Sequence, residues 1–211
     1  MRAPLARNRA KPDHNAMTDA APPPTASLAG KLLVAMPSIG DPRFAHSVIM
    51  LCSHDAEHAM GIVINKPKDE VTLNDVLEHL GLKLEGDAAA RLVMDGGPVR
   101  PERGYVLHSD DYAALEGTHT VAPGIALTAT REVLEAVARE NANAPKRFVL
   151  ALGCSGWGAG QLEDELKENA WLIVDADDAI VFGEGHEQKW ARAIRALGFD
   201  PSQLSDTAGR A

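Results

Sequence analysis

The chain has 211 residues, 45% hydrophobic and 24% charged, a composition typical of one folded domain with or without a tail. Its formal net charge is −9, and its aromatic residues are three Trp, two Tyr and four Phe; such an acidic, aromatic-poor chain argues against general nucleic-acid binding. Two cysteines make no disulfide framework, and no apolar run approaches the ~20 residues that a membrane-spanning helix needs.

The two ends of the chain differ from its centre. Residues 1–26 are rich in Ala, Pro and Arg and carry a net charge of +2, which leaves −11 on the remainder. Without hydrophobic periodicity or an apolar signal segment, they predict a disordered N-terminal tail on a cytoplasmic protein. Met17 offers an alternative start. We expect one domain over residues 27–204, followed by a frayed tail at 205–211.

The domain begins with strand patterns. Three short apolar runs rich in β-branched residues predict strands: residues 31–36, 47–53 and 59–65. The polar segment 54–58 between the last two predicts a hairpin. Asn65 and Pro67 predict a turn, because Pro67 restricts the residue before it and an Asn side chain can hydrogen-bond nearby backbone.

The middle of the chain combines one helix with further strands. Thr72 predicts a helix N-cap, supported by Asp75 three residues later, and Gly81 predicts the end of that helix. Three strands are predicted at residues 91–95, 104–109 and 118–128, the last interrupted by Pro123 and Gly124. Between the first two, Gly96-Gly97-Pro98 predicts a turn with positive φ.

The C-terminal third alternates between helices and strands. Amphipathic patterns predict helices at residues 130–141, 161–169 and 187–197. Strands are predicted at residues 147–153, 171–175 and 179–182. Because most strands precede most helices, the order favours an α+β fold, although the alternation at the end leaves an α/β arrangement open.

One short motif resembles a zinc site. His54-Asp55-Ala56-Glu57-His58 matches the H-x-x-E-H pattern, whose two histidines bind zinc only when a helix places them one turn apart. Here the motif separates two predicted strands. We therefore predict a solvated hairpin tip and no metal site.

A second motif resembles a nucleophile elbow. Gly153-Cys154-Ser155-Gly156-Trp157 lies between a predicted strand and a predicted helix, but Trp157 stands where a G-x-S-x-G elbow has its last glycine. Acidic residues after Gly160 also disfavour phosphate binding. The segment predicts a structural strand-to-helix turn, with no catalytic residue and no cofactor. Cys154 is predicted as a small core residue, with a reactive thiol as the alternative.

Five segments, taken in their order and spacing, resemble the YqgE/AlgH family of bacterial proteins: residues 30–37 (GKLLVAMP), 44–52 (FAHSVIMLC), 59–67 (AMGIVINKP), 96–99 (GGPV) and 153–172 (GCSGWGAGQLEDELKENAWL). The resemblance implies a single α+β domain of coiled or bifurcated, mainly antiparallel β-sheets flanked by helices. It also implies a cytoplasmic bacterial protein with a proposed role in alginate regulation. It implies no established activity, so no catalytic residue is carried over.

Two functions follow as hypotheses. The first is a non-enzymatic regulatory or protein-interaction module, with a transcriptional role suggested by the resemblance, an unknown protein partner and no membrane partner. The second is a small-ligand-binding protein or enzyme that uses the turn at Cys154, Ser155 and Trp157. The predicted binding residues are Asn65, Pro67, Gly97, Cys154, Trp157 and Gln161.

Overall fold

Ten strands and five helices form the part of the chain that the computed structural model describes, residues 27–84, 90–112, 116–139 and 143–204. The strands are β1 (Lys31–Ala35), β2 (Val48–His54), β3 (His58–Val63), β4 (Pro67–Thr72), β5 (Leu92–Asp95), β6 (Val99–Ser109), β7 (Thr118–Ala122), β8 (Ile125–Thr128), β9 (Phe148–Gly158) and β10 (Trp171–Asp175). The helices are α1 (Leu73–His79), α2 (Arg131–Arg139), α3 (Gln161–Lys167), α4 (Asp178–Val181) and α5 (His186–Ala196). The two predicted tails lie outside the described residues.

The strands form one curled sheet in the order β10-β1-β2-β3-β9-β6-β8-β7. All neighbours in this series are antiparallel, and in the register Leu33 lies between Ile173 and Ile49. A side branch adds β4, which is antiparallel to β5, and β5, which is parallel to β9. The fold is a single-domain α+β structure, as predicted.

The sheet divides at the long strand β9. Ala151 and Leu152 pair with β5, whereas Ser155 and the residues after it pair with β3 on the same side. Gly153 lies between these pairings with φ +77°, a conformation that only glycine adopts without strain. The predicted bifurcation is therefore confirmed, and it follows from β9 changing partners at this glycine.

The helices cover the two faces of the sheet because side chains alternate along each strand. In β1, Leu32 and Val34 pack into a cluster with residues of α4 and α5, whereas Leu33 and Ala35 pack into a cluster with residues of α3. A third cluster joins α1 and α2 to β5, β6 and β9. No helix in the described ranges has both the length and the apolar character needed to cross a membrane.

Helix boundaries follow the predicted caps. The hydroxyl of Thr72 accepts from the Asp75 backbone N–H while the Asp75 carboxylate accepts from the Thr72 N–H, so the predicted capping box is present. In α2 the predicted apolar stripe is buried and contains Val133, Leu134, Val137 and Ala138.

Two local predictions are wrong, and one predicted turn is shorter than expected. Residues 179–182 form no strand; they belong to α4 and its end, where Asp177 caps the helix by accepting from Ala179 and Ile180 N–H. Pro67 begins strand β4 directly after Asn65 and Lys66, so the predicted turn is shorter than expected. The segment from Gly153 to Trp157 forms no strand-to-helix turn, because β9 continues to Gly158.

Candidate functional site

Gly97, one predicted binding residue, lies where the sheet divides. Its φ is +138°, and a Cβ there would stand 2.5 Å from the Cys154 carbonyl and the Ser155 hydroxyl. The neighbouring Gly96 donates its N–H to the Leu152 carbonyl at 2.8 Å and accepts from Val63 N–H at 3.0 Å. The glycine pair therefore serves close backbone packing between β3 and β9.

Cys154 and Trp157 lie on opposite faces of β9. The Cys154 thiol is buried in the cluster beneath α5 and donates to the Tyr105 hydroxyl at 3.7 Å, whereas Trp157 packs in the cluster beneath α3. Ser155 is buried, and its hydroxyl donates to the Gly96 carbonyl at 3.4 Å. A single pocket that uses both the thiol and the indole is incompatible with this alternation.

Trp157 and Gln161 belong to a hydrogen-bonded cluster under α3. One oxygen of Glu165 accepts from the indole N–H groups of Trp157 at 2.8 Å and Trp171 at 2.7 Å. The Gln161 amide donates to the other oxygen at 2.9 Å and accepts from Gly158 N–H at 3.1 Å. We call Trp157, Gln161, Glu165 and Trp171 the indole clamp. It fixes α3 on the sheet.

His54 was predicted to belong to a solvated hairpin tip, and the structure contradicts this. Its side chain is buried, its Nδ1 accepts from Leu28 N–H at 3.0 Å, and its Nε2 lies 2.7 Å from a Glu163 oxygen. Because a backbone N–H can only donate, the hydrogen bonds assign the proton to Nε2. His54 therefore ties the N-terminal segment and α3 to the end of β2.

Asn65 and Pro67 also have structural positions. The buried Asn65 side chain accepts from Val48 N–H at 2.7 Å and donates to the His46 carbonyl at 2.9 Å. Pro67 pairs with Met94 at the start of β4. Asn65 thus fixes the start of β2, and the six predicted binding residues form no common site.

A separate cavity of about 600 Å³ opens elsewhere, between the starts of β5 and β9 and the connection from α4 to α5. We call it the basic cleft and define it by six of its lining residues: Arg91, Leu92, Arg147, Phe148, Phe182 and His186. Because β5 and β9 are parallel neighbours, the residues that precede them meet at one edge of the sheet. Apolar walls and convergent polar groups are typical of a binding site.

The cationic side chains of the cleft are arranged on aromatic rings. The Arg91 guanidinium lies 4.6 Å from the Phe148 ring centroid, and that of Arg147 lies 5.1 Å from the Phe182 centroid. Arg147 also forms an ion pair with Asp178, whereas no carboxylate of the described residues lies within ion-pair distance of Arg91. Phe148 therefore orients Arg91, and none of the described carboxylates neutralises its charge.

Helix α5 carries two titratable side chains with lowered pKa values, one of which, His186, lines the cleft. His186 lines the cavity, and its Nδ1 is buried without a hydrogen-bond partner in the described ranges. Burial, and then the charge of Lys189, lower the pKa of His186 from its ordinary value. Lys189, one turn further along α5, is fully buried and donates to the carbonyls of Ile64 at 3.1 Å and Val181 at 2.8 Å. Burial lowers the pKa of Lys189 to about 8.

A second cavity, of about 480 Å³, lies between α1, α2 and β6. Its apolar side chains include Val76 and Leu134, and its rim carries both signs of charge, as in Glu102 and Arg131. This mixture gives it no charge preference. Among the described residues, no group of three or more His, Cys, Asp and Glu side chains is arranged to hold a metal ion.

The residues of the basic cleft were not predicted as binding residues from the sequence. Arg91 and Arg147 begin predicted strands, but only the parallel pairing of β5 with β9 shows that they share an edge. Phe182 had been assigned to a strand, although Asp177 offers the N-cap pattern that marks α4. His186 belongs to none of the predicted motifs.

Sequence comparison finds relatives that all belong to one family. The family described as DUF179, AlgH-like, matches residues 32–202. A UPF0301 protein of Caulobacter vibrioides is 50% identical over 184 residues, which cover 87% of this chain and 94% of that protein. A UPF0301 protein of Bradyrhizobium diazoefficiens is 46% identical over 202 residues, covering 92% of this chain and 94% of that protein.

Solved structures show the same fold. The solution structure of the AlgH protein from Pseudomonas aeruginosa superposes with a TM-score of 0.70 at 36% identity, covering 92% of this chain and all of that chain. A protein from Corynebacterium diphtheriae superposes with a TM-score of 0.65 at 23% identity, covering 90% of this chain and 93% of that chain, and shows the fold alone.

Proposed function

The chain belongs to the AlgH-like DUF179 family, and on that basis we propose that it is a non-enzymatic regulatory module that binds a protein partner through the basic cleft. We further propose that it works in the cytoplasm. The regulatory part of the proposal rests on the family resemblance, and the location of the binding surface rests on the cleft.

The candidate catalytic groups support a role without chemistry because other contacts occupy them. The Cys154 thiol donates to Tyr105, and the Ser155 hydroxyl donates to a backbone carbonyl. Both nitrogens of His54 are engaged, by Leu28 N–H and by Glu163. A nucleophile and its base must lie within hydrogen-bond reach of each other, and these three side chains are bonded elsewhere.

The observation that carries the proposal is the Arg91 guanidinium, held over Phe148 and free of any carboxylate of the described residues, beside an exposed Leu92. Leu92 is 46% exposed and places an apolar contact surface at the rim, next to this charge. Arginine and large apolar side chains at a concave surface are typical of the residues that dominate protein interfaces.

A regulatory role through protein contact also agrees with the charge of the molecule. The formal net charge of −9 repels the phosphate backbone of duplex DNA, whereas the cleft presents local positive charge. We therefore propose that any effect on transcription passes through a bound protein.

Site-specific photo-crosslinking tests the proposal. p-Benzoylphenylalanine replaces Leu92 in the cleft or, as a control, Phe199, which is 53% exposed outside it. Irradiation of cells that express the full chain is expected to give a discrete protein adduct from position 92 only. Arg91→Glu should reduce this adduct strongly. Absence of an adduct at position 92, or the same adducts from both positions, would contradict the proposal.

A further inference from the structure

We infer, building on the proposed function, that the basic cleft recognises an acidic segment with a large apolar anchor side chain. The anchor enters the cavity bounded by Phe148 and Phe182, and flanking carboxylates of the partner meet Arg91 and the cationic rim. The inference names the partner's chemistry at the same site.

The charge of the cleft favours an anionic partner. Among the described residues that line it, three carry a cationic side chain, Arg91, Lys146 and Arg147, and one, Glu184, carries a carboxylate. This positive surface lies on a chain whose formal net charge is −9. An acidic partner is therefore attracted to this face and repelled by much of the remainder.

The three cations are not equally available. Arg147 is paired with Asp178, and Lys146 lies 3.7 Å from an Asp111 oxygen. Arg91 has no such competitor among the described residues, and its planar group is already oriented by Phe148. A guanidinium in this state can bind a carboxylate with two parallel hydrogen bonds at little ordering cost. Arg91 is thus the principal anion contact.

The exposure of the rim favours a polypeptide over a small organic acid. The side chain of Lys146 is 84% exposed and that of Arg147 is 46% exposed, so the charges surround the opening instead of enclosing a ligand. Small-molecule sites usually bury 70–90% or more of their ligand, as a general rule. Charged rims around an apolar centre are instead the anatomy of a protein interface.

His186 adds a second requirement on the partner. Its ring lines the cavity, and its Nδ1 is buried without a hydrogen-bond partner in the described ranges. A buried polar atom without a partner is unfavourable. The backbone amide of a bound segment, which carries one donor and one acceptor, can supply a partner for either protonation state of this nitrogen, whereas a carboxylic acid anion can only accept.

Peptide titration followed by NMR of the full-length chain tests the inference. The probes are acetylated, amidated pentapeptides: Glu-Asp-Phe-Glu-Asp, its anchorless form Glu-Asp-Gly-Glu-Asp, and the basic form Lys-Lys-Phe-Lys-Lys. The first is expected to shift the amide signals of Arg91, Phe148 and His186 and to bind at least about tenfold more tightly than the other two. Phenylacetate serves as the small-acid probe.

Matched arginine variants locate the contact. Arg91→Gln should weaken binding of the first peptide about tenfold, and Arg91→Lys should restore part of the loss. Arg103→Gln should have no effect, although Arg103 also lies over an aromatic ring, that of Tyr105 at 5.5 Å. Unchanged amide spectra outside the cleft show that each variant is folded.

Three results would overturn the inference: equal binding of the anchorless peptide, equal binding of phenylacetate, or equal loss of binding in Arg91→Gln and Arg103→Gln. If crosslinking at Leu92 succeeds while the peptides fail, the partner chemistry is wrong and the proposed function stands. If crosslinking also fails, the proposed function is wrong as well.

Discussion

Lys189 is the most unusual single residue in the described part of the chain. Its side chain is fully buried on α5, and its ammonium group donates to two backbone carbonyls, with no carboxylate of the described residues in ion-pair distance. Hydrogen bonds to carbonyls offset only part of the cost of removing a charge from water. The residue is therefore expected to make the stability of the protein depend on pH in the alkaline range.

Replacing Lys189 with Met tests this dependence. The pKa of Lys189 is lowered from 10.5 to about 8, so between these values the unfolded chain binds more protons than the folded one. Stability therefore rises with pH across this window, by about 3 kcal/mol when the whole difference is counted. Relative to Lys189→Met, the wild-type free energy of unfolding should increase from pH 8 to pH 10.5, as measured by urea denaturation.

Just below pH 8 the difference between the two proteins should level off, because Lys189 is then protonated in both states. At lower pH the difference changes again, because removing the Lys189 charge also removes one cause of the lowered pKa of His186. The exposed Lys83 supplies the control, and Lys83→Met should show no change in slope relative to wild type. A parallel pH profile for wild type and Lys189→Met would mean that the ammonium is solvated in the folded protein.

At the level of single residues, the sequence showed which positions have special requirements but not which contacts impose them. Gly97 and Asn65 stand out as a turn glycine and a turn amide, yet each serves a contact with a strand distant in sequence. Such contacts depend on which strands become neighbours. Sequence periodicity predicts that a strand exists but does not specify its partner.

At the scale of elements, α3 shows how a short helix is held on the sheet. It has seven residues, too few to be stable alone, and its N-cap Gly160 forms no side-chain cap. Its acidic residues instead reach the sheet: Glu163 contacts His54, and Glu165 receives both indole N–H groups of the clamp. These carboxylates therefore stabilise tertiary structure, and they explain the acidic start of α3.

Glu165→Ala is expected to destabilise the protein by about 2 kcal/mol, because both indole N–H groups then lose their acceptor. Glu165→Gln keeps a carbonyl oxygen and should lose clearly less. Urea denaturation gives the free energies, and tryptophan fluorescence reports the surroundings of Trp157 and Trp171. Glu168→Ala, at an exposed position just after α3, is the matched control. Equal losses in Glu165→Ala and Glu168→Ala would show that the clamp contributes nothing.

Element prediction succeeded where a local pattern was sufficient. The capping box of α1 and the apolar stripe of α2 are local, and both are present as predicted. β4 was missed because its sequence, PKDEVT, is polar; as an edge strand paired only with β5, it needs few apolar residues. Residues 179–182 were assigned to a strand because a short apolar run fits either structure.

At the scale of the molecule, the basic cleft depends on contacts that no local pattern contains. Its residues come from three segments, around Arg91, Phe148 and Phe182, which only the fold brings together. The resemblance of spaced segments correctly predicted the α+β fold and the divided sheet. The same resemblance placed the predicted binding residues mainly around the glycine-rich strand β9. These residues are distinctive because β9 lies at the centre of the sheet, where packing restricts the choice of residue.

The position of Cys154 makes it a reporter of global unfolding. It lies in β9, which pairs with β3, β5 and β6, so the thiol becomes accessible only when the centre of the sheet opens. In a Cys52→Ser background, a thiol reagent should label the folded chain at least about a thousandfold more slowly than the unfolded chain. The labelling rate should rise with urea with the slope of global unfolding.

Glu165→Ala provides the control for this measurement. It should accelerate labelling by the same factor by which it raises the equilibrium constant of unfolding. Rapid labelling without urea, unaffected by Glu165→Ala, would instead mean that β9 opens locally and exposes a reactive thiol. That result would favour the alternative of a ligand-binding protein or enzyme that uses Cys154. Slow labelling coupled to unfolding leaves Cys154 as a core residue, since a thiol that is released only by unfolding cannot act on a substrate in the folded protein.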